Sequence, residues 1–98
     1  MQYNDYRFLG FTVLSNGLLA YYPQLKITNS ELILIIQLEL FAQKGNKFPS
    51  NEQMAANTNF SATEIASIIQ QLIDKNDLTI DQVTDEKGRI GNYYNLDR

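Results

Sequence analysis

Hydrophobic side chains in residues 61–75 recur at spacings of three and four, which places them on one side of a helix. They are Ile65, Ile68, Ile69, Leu72 and Ile73. Residues 29–44 are apolar at most positions, so they predict a helix that is buried on most of its sides. Residues 50–57 predict a shorter helix with Met54, Ala55 and Ala56 as its apolar residues.

The predicted starts of these three helices share a capping-box spacing. The pairs are Thr28 with Glu31, Ser50 with Gln53, and Ser61 with Glu64. In each pair the hydroxyl can accept a backbone N–H, while the acidic or amide side chain reaches back to the cap. Gly45 suits the left-handed end of the first helix, and Pro49 disfavours helix at Phe48. Three separate helices are therefore predicted.

The segments on either side of these helices predict short strands. Period-two alternation at 78–81, turn-forming residues at 85–88 and a return strand at 89–96 predict a β-hairpin. Upstream, residues 11–14 predict a short strand, and residues 15–22 predict a short helix that Pro23 closes. The order of helix, turn, helix and hairpin is typical of a winged helix-turn-helix domain. The fold class is therefore mainly α with a small β-hairpin.

Composition restricts the chemistry of the chain. Its 98 residues suffice for one small domain, and a net charge of −3 gives no overall attraction to phosphate or anionic lipid. Because the chain has no Cys and no His, disulfides and thiolate or imidazole chemistry are excluded. No signal peptide or apolar run of membrane-spanning length is visible, so we expect a cytoplasmic protein without membrane contact.

Catalysis has little support in this sequence. The closest carboxylates, Asp81, Asp85 and Glu86, lie in or beside the predicted hairpin turn, where solvation is the expected role. Residues 88–91 lack the following helix and the Lys-Ser/Thr pair of a phosphate loop. We therefore expect neither an enzyme nor a bound cofactor or metal.

The charges on and around the 61–75 helix indicate whether it can bind DNA, since winged helices often place this element in the major groove. Residues 50–76 carry three carboxylates and one lysine, and residues 77–91 carry four carboxylates against two cations. This balance disfavours phosphate contact. A small DNA-binding transcription regulator remains the alternative, and its candidate contacts are Gln70, Gln71, Lys75, Lys87 and Arg89.

The apolar sides of the 29–44 helix leave two interpretations open. On one side lie Leu32, Ile36 and Leu40, and on another Leu34, Leu38 and Phe41. In the first interpretation, the N-terminal residues of the same chain cover these two sides of the helix. In the second, another copy of the chain covers them. Self-association as a dimer or tetramer is favoured, because aromatics are common in interface cores and an isolated strand at 11–14 leaves unpaired edges. The candidate interface residues are Tyr6, Phe8, Phe11, Val13, Leu14, Leu34, Leu38 and Phe41.

Several runs along the chain resemble the N-terminal domain of the DnaD family of replication-initiation and primosome proteins. They are Phe-Thr-Val-Leu-Ser at 11–15, Leu-Leu-Ala-Tyr-Tyr at 18–22, Asn-Ser-Glu-Leu-Ile-Leu at 29–34, Lys-Gly-Asn-Lys-Phe-Pro-Ser at 44–50, the helix from 64 to 73, and Tyr-Asn-Leu at 94–96. The resemblance covers nearly the whole chain. Its most specific part is the N-terminal extension combined with the Lys-Gly and Phe-Pro-Ser junction.

The resemblance implies a helix–strand–helix extension at residues 1–27 before a winged-helix core at 28–98, together one domain. It also implies an oligomerisation and protein-interaction scaffold that helps recruit the replicative helicase. Partners would be a replication initiator and helicase-loading proteins. DNA contact would be weak or would come from the family's separate C-terminal domain, which is expected to lie outside this sequence. A chromosomal, phage or plasmid origin stays open.

Overall fold

The computed structural model of the protein describes residues 3–96, which form five helices and one two-stranded antiparallel hairpin. Their bounds are a 3₁₀ helix at Tyr3–Leu9, α1 at Asn16–Tyr21, α2 at Asn29–Gln43, α3 at Asn51–Ala56, α4 at Ala62–Asp74, β1 at Thr79–Thr84 and β2 at Ile90–Asn95. The prediction of a mainly helical chain with a small hairpin is therefore confirmed.

The three predicted capping boxes are present, and each fixes a helix start. At Ser61, for example, Oγ accepts the Glu64 N–H at 3.1 Å, while Glu64 Oε1 accepts the Ser61 N–H at 2.9 Å. The boxes at the starts of α2 and α3 have the same reciprocal bonds. Gly45 has a φ of 98° just after α2, a conformation that favours glycine. These ends depend only on neighbouring residues, which explains why the sequence predicted them.

The N-terminal extension differs from its prediction. Residues 11–14 were expected to be a strand, but they have no regular secondary structure in the described chain. A strand needs a neighbouring strand for its backbone hydrogen bonds, and within residues 3–96 the strands β1 and β2 pair only with each other. The extension therefore consists of the 3₁₀ helix, an irregular segment and α1, rather than a helix, a strand and a helix.

The hydrophobic core lies where α4 packs against α2 and α3. Its buried members are Ile27, Leu34, Ile35, Leu38, Met54, Ile65, Ile68, Ile69, Leu72 and Leu78. The predicted apolar face of α4 supplies four of them, so that prediction is confirmed. Within residues 3–96, no helix is both long and apolar enough to cross a membrane.

The hairpin is fastened to the loop between α2 and α3. The Tyr94 N–H donates to the Lys47 carbonyl at 3.0 Å, and the Tyr94 ring stacks on Phe48 with centroids 4.6 Å apart.

At the tip of the hairpin, Asp85 Oδ1 accepts the Lys87 and Arg89 N–H groups, each at 2.9 Å. The bond from the Arg89 backbone contributes most to lowering the pKa of Asp85 below its usual value. Asp85 is thus a turn-forming residue.

Candidate self-association surface

The most exposed large hydrophobic side chains of the described residues include three in the segment 6–14, which we call the aromatic segment. Phe8 is 81% exposed, Val13 is 76% exposed and Phe11 is 71% exposed. Tyr6 and Leu9 in the same segment are also exposed. Scattered apolar residues are normal on a protein surface, whereas several together mark a contact surface. The aromatic segment is therefore the first candidate for contact with a partner.

The irregular part of the aromatic segment is anchored to α2 by one side chain. The Val13 N–H donates to Gln43 Oε1 at 2.9 Å, and Gln43 Nε2 donates to the Val13 carbonyl at 2.7 Å. A second, weaker contact lies within the segment, where the Arg7 guanidinium is 5.7 Å from the centre of the Phe11 ring. These contacts hold the backbone near α2 while the Val13 side chain stays in solvent.

A groove of about 590 Å³ separates the aromatic segment from α2 and from the end of α3. Its lining combines apolar and amide groups, namely Tyr6, Leu9, Gly10, Phe11, Thr12, Gln37, Leu40, Gln43, Lys44 and Asn57. The aromatic segment therefore covers this side of α2 incompletely. The N-terminal residues of one chain thus cover only part of the apolar surface of α2.

The predicted interface residues on α2 are buried or half-buried, unlike the exposed residues of the aromatic segment. Leu34 and Leu38 are buried in the core of the single chain and cannot reach a partner, which corrects their assignment to an interface. The physical reason is that α2 packs this side against α4. Phe41 is partly buried and packs against the same core. Leu14 is half-buried, so the accessible candidates are Tyr6, Phe8, Phe11 and Val13.

The candidate DNA contact Lys75 is engaged in hydrogen bonds to other parts of the chain. Its Nζ donates to Glu31 Oε1 at 2.8 Å and to the Lys26 carbonyl at 2.9 Å. Glu31 is fully buried at the start of α2. Burial raises the pKa of Glu31, but bonds from Lys75 and Thr28 outweigh it and hold the pKa below its usual value. Lys75 therefore joins the C-terminal end of α4 to α2, and its charge is already balanced.

The other DNA candidates do not form a basic surface. Arg89 Nε donates to Asp85 Oδ2 at 2.7 Å, and Gln70 Nε2 donates to Asp74 Oδ1 at 2.8 Å. Gln71 and Lys87 are exposed on α4 and at the hairpin tip. Two of the three cations thus face carboxylates, which weakens phosphate neutralisation as a source of affinity.

Two residues that position other groups were missed by the sequence reasoning. No role was predicted for Gln43, and Lys75 was predicted only as a candidate DNA contact. Their partners lie 30 and 44 residues away in the chain. No local pattern gives such a pairing, so only the folded chain brings them together.

Comparisons with known proteins agree with this architecture. A family model described as the DnaD N-terminal domain matches residues 14–98. The replicative helicase loading/DNA remodeling protein DnaD of Bacillus subtilis (strain 168) is 30% identical over 95 residues, which are 97% of this chain and 41% of that protein. The chain thus spans about two fifths of its curated relative.

A solved structure has the same fold. The crystal structure of the N-terminal domain of DnaD protein from Geobacillus kaustophilus HTA426 superposes with a TM-score of 0.73, at 23% sequence identity. The match covers 98% of this chain and 80% of that one. On the family match and the curated relative together, this chain belongs to the DnaD N-terminal domain family.

Proposed function

We propose that this chain is the oligomerisation and protein-interaction scaffold of a DnaD-like replication-initiation protein that helps recruit the replicative helicase. The family membership supports a role in replication, as does the description of the Bacillus subtilis relative as a helicase loading and DNA remodeling protein. In this proposal the chain presents surfaces to copies of itself, to a replication initiator and to helicase-loading proteins.

The proposal includes a winged-helix architecture for the core. Helices α2, α3 and α4 would form the three-helix unit, with α3 and α4 as the helix-turn-helix pair and the β1–β2 hairpin as the wing. The order of elements and the packing of α4 against both other helices support this assignment. The winged helix would act as a scaffold, because Lys75, its cation at the end of α4, is bound to Glu31.

The observation that carries the proposal is the exposure of the aromatic segment. Phe8, Phe11 and Val13 leave most of their surface in water, and each large side chain of this kind gains about 1.5–3 kcal/mol when it is fully buried. A second copy, related by a two-fold axis, would bury the same three side chains on both chains at once. We therefore propose that self-association occurs through this segment.

Light scattering coupled to gel filtration tests the proposal. A single chain has a mass of 11.2 kDa, so the proposal expects a mass of two or four copies at tens of micromolar. The mass should decrease on dilution if the contact is reversible. A mass of one chain at these concentrations would contradict self-association, and the scaffold role would then lack its physical basis.

A further inference from the structure

The two hydrogen bonds between Gln43 and Val13 have the form of a strand pairing. In a hydrogen-bonded pair of antiparallel strands, one residue uses both its N–H and its C=O toward the same neighbour. Val13 does the same toward a single amide, with distances of 2.9 Å to Gln43 Oε1 and 2.7 Å from Gln43 Nε2. Gln43 therefore takes the place of a neighbouring strand on one edge of the segment.

This arrangement determines which edge stays open. Because Val13 directs both backbone groups to one side, its backbone is extended there, and in an extended chain the adjacent residues direct theirs to the opposite side. Those residues are Thr12 and Leu14. Their backbone N–H and C=O groups make no hydrogen bond to any other residue that the structure describes. The segment thus has one closed edge toward α2 and one open edge away from it.

Gln43 is itself held in place on α2. Its Nε2 donates a second bond to Glu39 Oε2 at 3.1 Å, one helical turn earlier. Fixing a flexible segment before association lowers the entropy that binding must overcome. The relay from Glu39 through Gln43 to Val13 therefore orders the backbone in advance and fixes the direction of its open edge.

We propose that Gln43 is a positioning residue for self-association: its amide holds residues 12–14 extended so that the open edge pairs with the same edge of a second copy. The inference rests on the proposed function, because it assumes that the aromatic segment is where copies meet. It also explains the strand that the sequence predicted at 11–14. That strand would form only when a second copy supplies its partner.

Sedimentation measurements on Gln43→Ala test the inference. Loss of two hydrogen bonds that order the segment should raise the dissociation constant by about tenfold relative to the unmodified chain. Gln71→Ala is the matched control, because it removes an exposed amide from α4, far from the segment in sequence, and should leave the constant unchanged. Gln43→Glu keeps the acceptor but lacks the donor toward the Val13 carbonyl, so it should weaken association as well. Circular dichroism at low concentration should show the same fold for all of them.

Amide hydrogen exchange gives a readout that a simple tether would not change. In the unmodified chain, the Val13 N–H should be protected at every concentration, and the Thr12 and Leu14 N–H groups only when copies associate. Gln43→Ala should remove the first protection and weaken the second. If the unmodified chain associates but Gln43→Ala has the same dissociation constant and the same protection at Thr12 and Leu14, the inference is overturned and the proposed function stands. If the unmodified chain stays a monomer, both fail.

Discussion

Replacing Lys75 with methionine is expected to destabilise the fold by about 2–3 kcal/mol, although the side chain lies at the surface end of α4. Its partner Glu31 is fully buried, and Glu31 Oε2 has no hydrogen-bond partner in the described chain. Removal of the ammonium would leave that carboxylate with Thr28 alone, whose N–H donates to Glu31 Oε1 at 2.8 Å. The expected loss is below that of a fully buried ion pair, because the Lys75 side chain is 39% exposed.

Urea unfolding followed by circular dichroism measures this loss. Arg89→Met is the matched control, since it breaks an ion pair in which both partners are exposed, and its effect on the free energy of unfolding should be much smaller than that of Lys75→Met. The double variant Lys75→Met with Glu31→Gln should recover part of the stability, because glutamine keeps the capping-box geometry without a buried charge. A Lys75→Met loss no larger than that of Arg89→Met would contradict a structural role for the Glu31–Lys75 bridge.

The same ion pair predicts a direction for the pH dependence. The pKa of Glu31 in the folded chain lies below its ordinary value of 4.5. The stabilisation is therefore complete above that value and is lost as the pH decreases through the lower pKa of the folded state. The double variant lacks both charges, so its stability should decrease less than that of the unmodified chain over this range. An equal decrease in both proteins would assign the acid sensitivity to other carboxylates.

Replacing Phe8 and Phe11 together with serine is expected to weaken self-association by about a hundredfold or more, since each buried phenylalanine contributes about 1.5–3 kcal/mol. The fold should be unaffected, because both rings are exposed in the single chain. Sedimentation velocity over a range of concentrations measures the association constant, and urea unfolding at low concentration checks the stability of the single chain.

The matched control for this pair is Val83→Thr with Ile90→Thr. These two residues are also exposed and apolar, but they lie on the hairpin. Their replacement should leave the association constant unchanged if the contact is specific to the aromatic segment. An equal loss in both double variants would indicate nonspecific hydrophobic association, and no loss in either would exclude the aromatic segment as the contact.

Local features explain how much of the fold could be predicted from the sequence. The starts of α2, α3 and α4 followed from capping boxes within four residues, and the buried face of α4 followed from its spacing. In contrast, α2 is apolar on several sides, so its pattern could not separate Leu34, which is in the core, from residues near the surface. Burial of that kind depends on which helix packs against which side.

The sequence indicated which side chains belong to the candidate site, but only part of their arrangement in space. Aromatic density pointed to Tyr6, Phe8 and Phe11, and these side chains are exposed. The strand at 11–14 was wrong for the single chain, because pairing requires a partner that the described residues do not supply. The roles of Gln43 and Lys75 arise from contacts across 30 and 44 residues of chain, which periodicity does not reveal.

Cysteine cross-linking shows directly whether copies of the chain meet through the aromatic segment. The protein has no cysteine, so Val13→Cys introduces a single thiol at an exposed position of the segment. Ser67→Cys is the matched control on the exposed face of α4. With a short bifunctional maleimide, Val13→Cys should form covalent dimers rapidly and Ser67→Cys should form none. Cross-linking of Ser67→Cys alone would contradict contact through the aromatic segment and would move the contact to the outer face of α4.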